Sequence, residues 1–243
     1  MGSSETPKIT LYTSYACPWA HRSQIALREL NLPFETVIVD LSVPRTPKYL
    51  KINPRGLVPA LDYNGIILTE SAIVSQFLVD AHPSHLEKAS TDEGGPLQRA
   101  KINFFVDTFI SKVFTLYLTA LRAQVGEEKE RAVGTIVDAV VKELEPLLGD
   151  AGPFFGGRRI GLRWLRYVQT ASFVIRILAF AEYEALLPKS LLTSLEAKAP
   201  SFWKWASAVV KEDSVTYKWD AKAISERMIE RFEKLQKEAA AAK

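Results

Sequence analysis

One side chain can do chemistry that its neighbours cannot: Cys17, the single cysteine of the chain. It stands in Tyr12-Thr13-Ser14-Tyr15-Ala16-Cys17-Pro18-Trp19-Ala20, between an extended apolar pattern and a helical one. Pro18 has a backbone φ suited to the first position of a helix, which puts Cys17 at the N-cap. A sulfur there faces unpaired backbone N–H groups and the positive end of the helix dipole, and both favour thiolate over thiol. The expected chemistry is nucleophilic attack by sulfur; a small buried cysteine is the plainer alternative. Ala20 occupies the place where a Cys-X-X-Cys pair has its second thiol. No intramolecular disulfide can therefore close, and any mixed disulfide must be resolved by a thiol from outside. His21, one turn on, could stabilise the thiolate or move a proton, although a packed or exposed histidine is the simpler reading. Arg22 reads as a solvated or interdomain charge rather than as part of the chemistry.

The elements that must place this thiol change character along the chain. From Lys8 to about His82, short apolar runs alternate with helical patterns: Ile9 to Tyr12, Gln24 to Leu30, Phe34 to Val39, Val58 to Tyr63 and Ile66 to Leu68. Asn64-Gly65 between the last two predicts a two-residue hairpin, because both central positions of a type I′ turn need positive φ. Glu70, Ser71 and Ala72 then open an apolar helical stripe through Ile73, Val74, Phe77 and Leu78. Beyond Pro96 the strand signals stop, and helical spacing runs over Ala100 to Ala123, Glu127 to Leu148, Leu165 to Leu187, Pro200 to Val210 and Ala221 to Ala240. The expected organisation is an α/β domain over residues 1–83, a linker over 84–95 marked by Gly94-Gly95, and an all-α domain over 96–243.

Composition narrows the class. At 243 residues, 47% hydrophobic and 24% charged, the chain has the make-up of an ordinary globular protein, which excludes disordered, collagen-like and coiled-coil classes. The 31 Lys plus Arg against 28 Asp plus Glu leave +3, too small a balance to point to nucleic acid or an anionic membrane. A lone cysteine cannot form an intrachain disulfide, so a reducing, cytoplasmic setting is expected. Met1 to Lys8 lacks the pattern of a secretory leader, although Gly2 and Thr6 formally fit a myristoylation signal. No window of about 18 uninterrupted apolar residues predicts a membrane span.

Cys17-Pro18-Trp19-Ala20, Asn53-Pro54-Arg55-Gly56-Leu57-Val58-Pro59-Ala60-Leu61 and Glu70-Ser71, in that order and spacing, resemble the cytosolic glutathione transferases over nearly the whole chain. The Cys-Pro helix start resembles the omega class, of a fungal type. The resemblance implies a thioredoxin-like N-terminal domain with a mixed four-stranded sheet, an all-α C-terminal domain, and a homodimer. It implies Cys17 as the catalytic residue and glutathione as co-substrate, with no metal. Glutathione would be held by Pro18, Trp19, Arg45, Val58, Pro59, Glu70 and Ser71. The Val58-Pro59 bond would be cis, turning the Val58 backbone toward the cysteinyl part of the tripeptide. Glu70 and Ser71 would take its γ-glutamyl ammonium and carboxylate, where simple helix capping is the alternative. Arg45 would meet the glycine carboxylate, with Lys51 and Arg55 as rival cations.

A second, hydrophobic electrophile would sit in a cleft between the domains, on Phe105, Thr108, Phe109, Lys112, Tyr217 and Trp219. The leading activity is addition of glutathione to that electrophile, in biosynthesis or detoxification. Thiol transfer of the dehydroascorbate-reductase type through Cys17, cis/trans isomerisation of an olefin, and a non-catalytic interaction module are the alternatives. The retention of Cys17, Val58-Pro59 and Glu70-Ser71 together speaks against the last. Tyr12, Ser14 and Tyr15 compete with Cys17, since other classes activate glutathione through a hydroxyl in this loop. One departure from the family stands at Trp164 and Tyr167, where a Ser/Thr cap and an Asp are usual.

Overall fold

The computed structural model describes residues 6–148 and 165–241. Trp164 lies outside them, as does the side chain of Tyr167, and with them the departure from the usual capping box. The chain divides into two compact units, the first made of Met1–Arg99, Arg163–Ser172 and Asp213–Tyr217, the second of Ala100–Leu162, Phe173–Glu212 and Lys218–Lys243.

In the first unit the order is β1 (Ile9–Thr13), α1 (Pro18–Glu29), β2 (Glu35–Ile38), α2 (Pro47–Ile52), β3 (Ala60–Tyr63), β4 (Ile66–Thr69) and α3 (Ser71–Ala81). The four strands form one sheet in the order β2-β1-β3-β4. β1 runs parallel to β2 and antiparallel to β3, and β3 and β4 form an antiparallel hairpin. A helix must bridge the parallel pair, and α1 does so. The hairpin turns on Asn64 at φ 53° and Gly65 at φ 86°, the two positive φ values that the sequence demands. Asp62 Oδ1 accepts from the Gly65 N–H at 2.7 Å. Leu11, Ile25, Leu27, Leu61 and Leu78 form the fully buried centre.

Helix α1 is buried over Ala20 to Leu27, polar residues included. Its inward Gln24 Nε2 donates to Thr13 Oγ1 at 2.7 Å, which ties the helix to the end of β1. Helix α2 is not among the helical patterns read from the sequence. Thr46 caps it, its Oγ1 accepting from Tyr49 N at 3.2 Å, and Pro47 stands in its first turn. The stretch 84–95, expected as a linker, packs with the first unit, with Leu86 and Glu87 buried and Glu87 paired with Arg99.

The second unit is built from helices. Helix α4 (Gly95–Thr108) begins in the first unit and continues through a π-helical stretch, Phe109–Phe114, into α5 (Thr115–Arg122). Over its 28 residues, Gly95–Arg122 is long and apolar enough to cross a membrane by length and composition. Here its Phe105, Phe109, Val113 and Tyr117 form buried core. Next come α6 (Glu127–Ala139), a π-helical Val140–Leu144 and α7 (Glu145–Leu148). Then follow α8 (Leu165–Phe180), α9 (Ser190–Lys198), α10 (Pro200–Val209), α11 (Asp213–Thr216) and α12 (Ala221–Ala241). The sequence pattern carries α8 on to Leu187. The helix ends earlier because Glu182 N and Tyr183 N turn to the carbonyls three residues back, a tightened last turn, ahead of Pro188.

Helix α10 receives its cap from another helix. Glu145 accepts from Ser201 N at 2.9 Å and Phe202 N at 2.8 Å, meeting two orphan donors of α10 with one carboxylate. Glu145→Ala is expected to lower the stability of the second unit by about 1–2 kcal/mol, the usual cost of a lost N-cap, read from its urea midpoint. An unchanged midpoint would show that water replaces the carboxylate without loss.

Candidate active site

Helix α1 starts where the sequence places it. Cys17 is its N-cap with φ −85° and ψ 118°, Pro18 follows, and no side chain caps the first turn. Cys17 N donates to Ser14 O at 3.0 Å, closing the turn that presents the sulfur. Sγ lies 4.0 Å from the carbonyl oxygen of Val58, and Val58-Pro59 is cis.

The loop carrying Val58 is held from below. Asn53 Nδ2 and the Tyr49 hydroxyl both donate to Leu57 O, at 2.8 and 2.5 Å, while Asn53 Oδ1 accepts from Arg55 N at 3.1 Å. Gly56 adopts φ +65°, and a Cβ there would stand 3.0 Å from the Arg45 side chain. Only glycine meets both demands without strain.

Helix α3 also begins without a side-chain cap. Glu70 precedes it at φ 67° and ψ 109°, a conformation that costs a non-glycine residue about 1–3 kcal/mol and that clusters at functional sites. Its carboxylate turns to Arg55 Nη1 at 2.5 Å instead of to the helix. The capping alternative for Glu70 is thereby excluded, and the first N–H groups of α3 are left to other partners.

These pieces surround one pocket of about 420 Å³, lined by Cys17, Trp19, Leu41, Arg45, Asn53, Gly56, Leu57, Val58, Pro59, Thr69, Glu70 and Ser71. Of the expected glutathione residues only Pro18 is missing from its wall; it acts as the first residue of α1. Two uncapped helix N-termini meet at the pocket, so its field favours anions at both ends.

The competing groups fall elsewhere. Tyr12, Ser14, Tyr15 and His21 do not line this pocket. The Tyr12 ring packs on Tyr49 at 5.8 Å. Burial and the neighbouring Tyr217 push the Tyr15 hydroxyl above its ordinary pKa, against a hydrogen bond with Thr36. His21 is 3% exposed, a packed histidine.

Three sets of side chains take contacts that the sequence does not announce. Arg45 lines the pocket, yet its guanidinium donates to four backbone carbonyls, those of Gly56, Asp40, Val43 and Leu41. Four of its five N–H donors are thus committed to folding the 40–45 loop over the pocket, which leaves one for a carboxylate. Phe105 and Phe109 are fully buried, edge-on to Trp205 and tilted against Phe173, and are core of the second unit rather than a ligand surface. Arg22, read as a solvated or interdomain charge, is 3% exposed and so not solvated, and donates to Ser71 Oγ at 3.0 Å. Nothing in its spacing announces this, because the partner lies 49 residues away.

Thr108 is buried, Lys112 is exposed, and Tyr217 and Trp219 are half-buried. Arg28 stacks over the Tyr217 ring at 4.1 Å, and Arg176 over Trp219 at 4.8 Å.

A sequence profile of the glutathione S-transferase N-terminal domain matches residues 16–81, the stretch that builds this pocket. Glutathione S-transferase U25 of Arabidopsis thaliana is 30% identical over 195 residues, covering 80% of this chain and 80% of that one. The chain belongs to the glutathione S-transferase family. Maleylacetoacetate isomerase of Pseudomonas aeruginosa is 30% identical over 159 residues, 61% of this chain and 73% of that one. Among solved structures, glutathione transferase Omega 2C from Trametes versicolor is 26% identical, with a TM-score of 0.74 over 93% of this chain and 98% of that one. This glutathione S-transferase has the thioredoxin-like sheet domain and helical domain of its relatives, and glutathione is its co-substrate. Among the described residues no cluster of three or more His, Cys, Asp or Glu could hold a metal ion.

Proposed function

We propose that this transferase works chiefly by thiol transfer through Cys17, as an omega-like enzyme. One observation carries the reading: of Tyr12, Ser14, Tyr15 and Cys17, only Cys17 lines the pocket, beside the Val58 backbone. The Trametes versicolor Omega 2C structure is in keeping with it. The γ-glutamyl carboxylate goes to Ser71 and the N-terminus of α3, its ammonium to Glu70, the cysteinyl backbone to Val58, and the glycine carboxylate to the remaining Arg45 donor. Lys51 and Arg55 are not needed for it, and Arg55 is already paired with Glu70.

The step balances as follows. Cys17 thiolate attacks the glutathione sulfur of a mixed disulfide between substrate and glutathione; the S–S bond breaks, and the substrate leaves as a thiolate that takes a proton from water. Glutathione thiolate then attacks the Cys17–glutathione disulfide, releasing oxidised glutathione and restoring Cys17. A second reading, glutathione adding to an electrophilic or olefinic carbon, is favoured by the isomerase relative. It does not draw on Phe105 or Phe109, which are buried. A cytoplasmic setting suits either mode, because both need glutathione in its reduced form.

Calorimetric titration with glutathione tests the binding. One site per chain is expected in the wild type, and a protein that takes up no glutathione refutes the reading. Pairing of two copies is proposed on the exposed apolar side chains Ile66 on β4 and Ile73 on α3. Sedimentation at micromolar concentration is expected to show a dimer; a strict monomer contradicts it.

A further inference from the structure

Arg22 lies on α1, five residues past Cys17, and is not part of the pocket wall. Taking a guanidinium out of water costs several kcal/mol, so a fold keeps one buried only where its donors are used. Burial lowers the Arg22 pKa to about 9, so the group still carries its charge at neutral pH. Its donors are directed at two elements. Nη1 donates to Ser71 Oγ at 3.0 Å, and Nη2 donates to Gln169 Oε1 at the start of α8. Gln169 Nε2 in turn donates to Ala72 O at 3.4 Å, so the pair brackets the first turn of α3. The guanidinium carbon also stands 5.4 Å from the centre of the Trp19 ring. Through Ser71 and Trp19, one buried cation touches two residues that line the pocket.

The chemistry of the hydroxyl follows from that contact. Arginine has donors only, so Ser71 Oγ must accept from it. A hydroxyl that accepts on one side has its own single hydrogen to give on another, and a neighbouring positive charge strengthens it as a donor. Ser71 also lines the pocket, next to the uncapped N–H groups at the start of α3.

We propose that Arg22 is a positioning residue that turns the Ser71 hydroxyl into a dedicated donor for the carboxylate of the ligand bound at the N-terminus of α3. The proposal rests on the assignment of glutathione to this pocket, with its γ-glutamyl carboxylate as the acceptor. Arg22 touches no ligand atom; it acts through Ser71, whose hydroxyl it directs to the oxygens that the first N–H groups of α3 also meet.

The test is a set of calorimetric titrations on the wild type, Arg22→Gln, Ser71→Ala and the double variant. Each is titrated with glutathione and with γ-aminobutyryl-cysteinyl-glycine, which lacks only the γ-glutamyl carboxylate. Arg22→Gln is expected to weaken glutathione about tenfold or more, the worth of a charge-assisted hydrogen bond. The truncated tripeptide should bind wild type and variant within about twofold, because its missing group is the one that Arg22 serves. In the Ser71→Ala background, Arg22→Gln should add less than about twofold. Arg22→Lys keeps the charge but cannot span Ser71 and Gln169 together, so it should fold and still show most of the loss; it carries the same comparison if the glutamine variant does not fold. Equal weakening of both tripeptides would reduce Arg22 to general support of the fold and overturn the proposal. Additive losses in the double variant would overturn it as well. A wild type that binds no glutathione sinks the assignment beneath it, whereas a wild type that binds while Arg22→Gln binds equally well sinks the role of Arg22 alone.

Discussion

Cys17→Ser is expected to cut the glutathione-dependent reduction of a glutathionylated substrate by about 10³-fold or more, because a serine hydroxyl is protonated where a thiolate would attack. Glutathione itself should bind the variant within about threefold of wild type, since the 4.0 Å contact of Sγ with Val58 O is worth no more than a weak hydrogen bond. The split matters more than the loss. Conjugation of glutathione to a carbon electrophile uses the tripeptide's own sulfur, so this activity should persist in the variant to the extent that the second mode operates. Equal loss of both activities with binding intact would make Cys17 the activator of glutathione as well as a nucleophile. Undiminished thiol transfer would show that another group supplies the sulfur chemistry.

The largest stability effect is expected at Lys129. This lysine on α6 is 2% exposed, and its Nζ donates to Ala120 O at 3.1 Å, Leu121 O at 3.3 Å and Leu186 O at 2.9 Å. Three donors meet three carbonyls, two of them among the orphan acceptors at the end of α5. Desolvation holds the ammonium below the ordinary lysine pKa, while Glu128 and Glu184 pull it back up. Lys129→Met keeps the volume of the aliphatic stem and removes all three donors at once. The carbonyls are then buried with no cation, and a loss of about 3 kcal/mol is expected, at the lower end of what breaking a buried charged cluster costs. For a chain of 243 residues that is a fall in melting temperature of about 6–12 °C, measured by calorimetry. A variant that melts with the wild type would show that the three bonds do no more than offset the cost of burying the charge.

These two residues mark where reading the sequence succeeds and where it stops. Cys17 was legible because its setting is local: Pro18 next to it defines the N-cap, and Ala20 rules out a second thiol. The hairpin at Asn64-Gly65 and the cis bond at Val58-Pro59 were legible for the same reason, the first from turn chemistry and the second from a motif. Lys129, Glu145 and Arg22 were not, because each has a partner between 49 and 147 residues distant and no periodicity carries that information. Helix α2 escaped because it spans six residues, too few for a helical stripe, although Thr46-Pro47 is a proper start signal. Phe105 and Phe109 misled for a general reason: an aromatic on an amphipathic helix fills a core far more often than it meets a ligand. Arg45 is legible as a pocket residue, while its backbone acceptors are not, since they are supplied by the loop it folds.

The central claim is that Cys17 alternates between a free thiolate and a disulfide with glutathione. Intact-protein mass spectrometry after exposure of the reduced protein to oxidised glutathione tests it most directly. The thiolate attacks one sulfur of oxidised glutathione, releasing one glutathione and leaving the other joined to the protein. The expected result is a single added glutathione per chain, located at Cys17 and removed within the catalytic time scale by reduced glutathione. A protein that binds glutathione yet stays unmodified, or whose adduct resists reduced glutathione, contradicts the account.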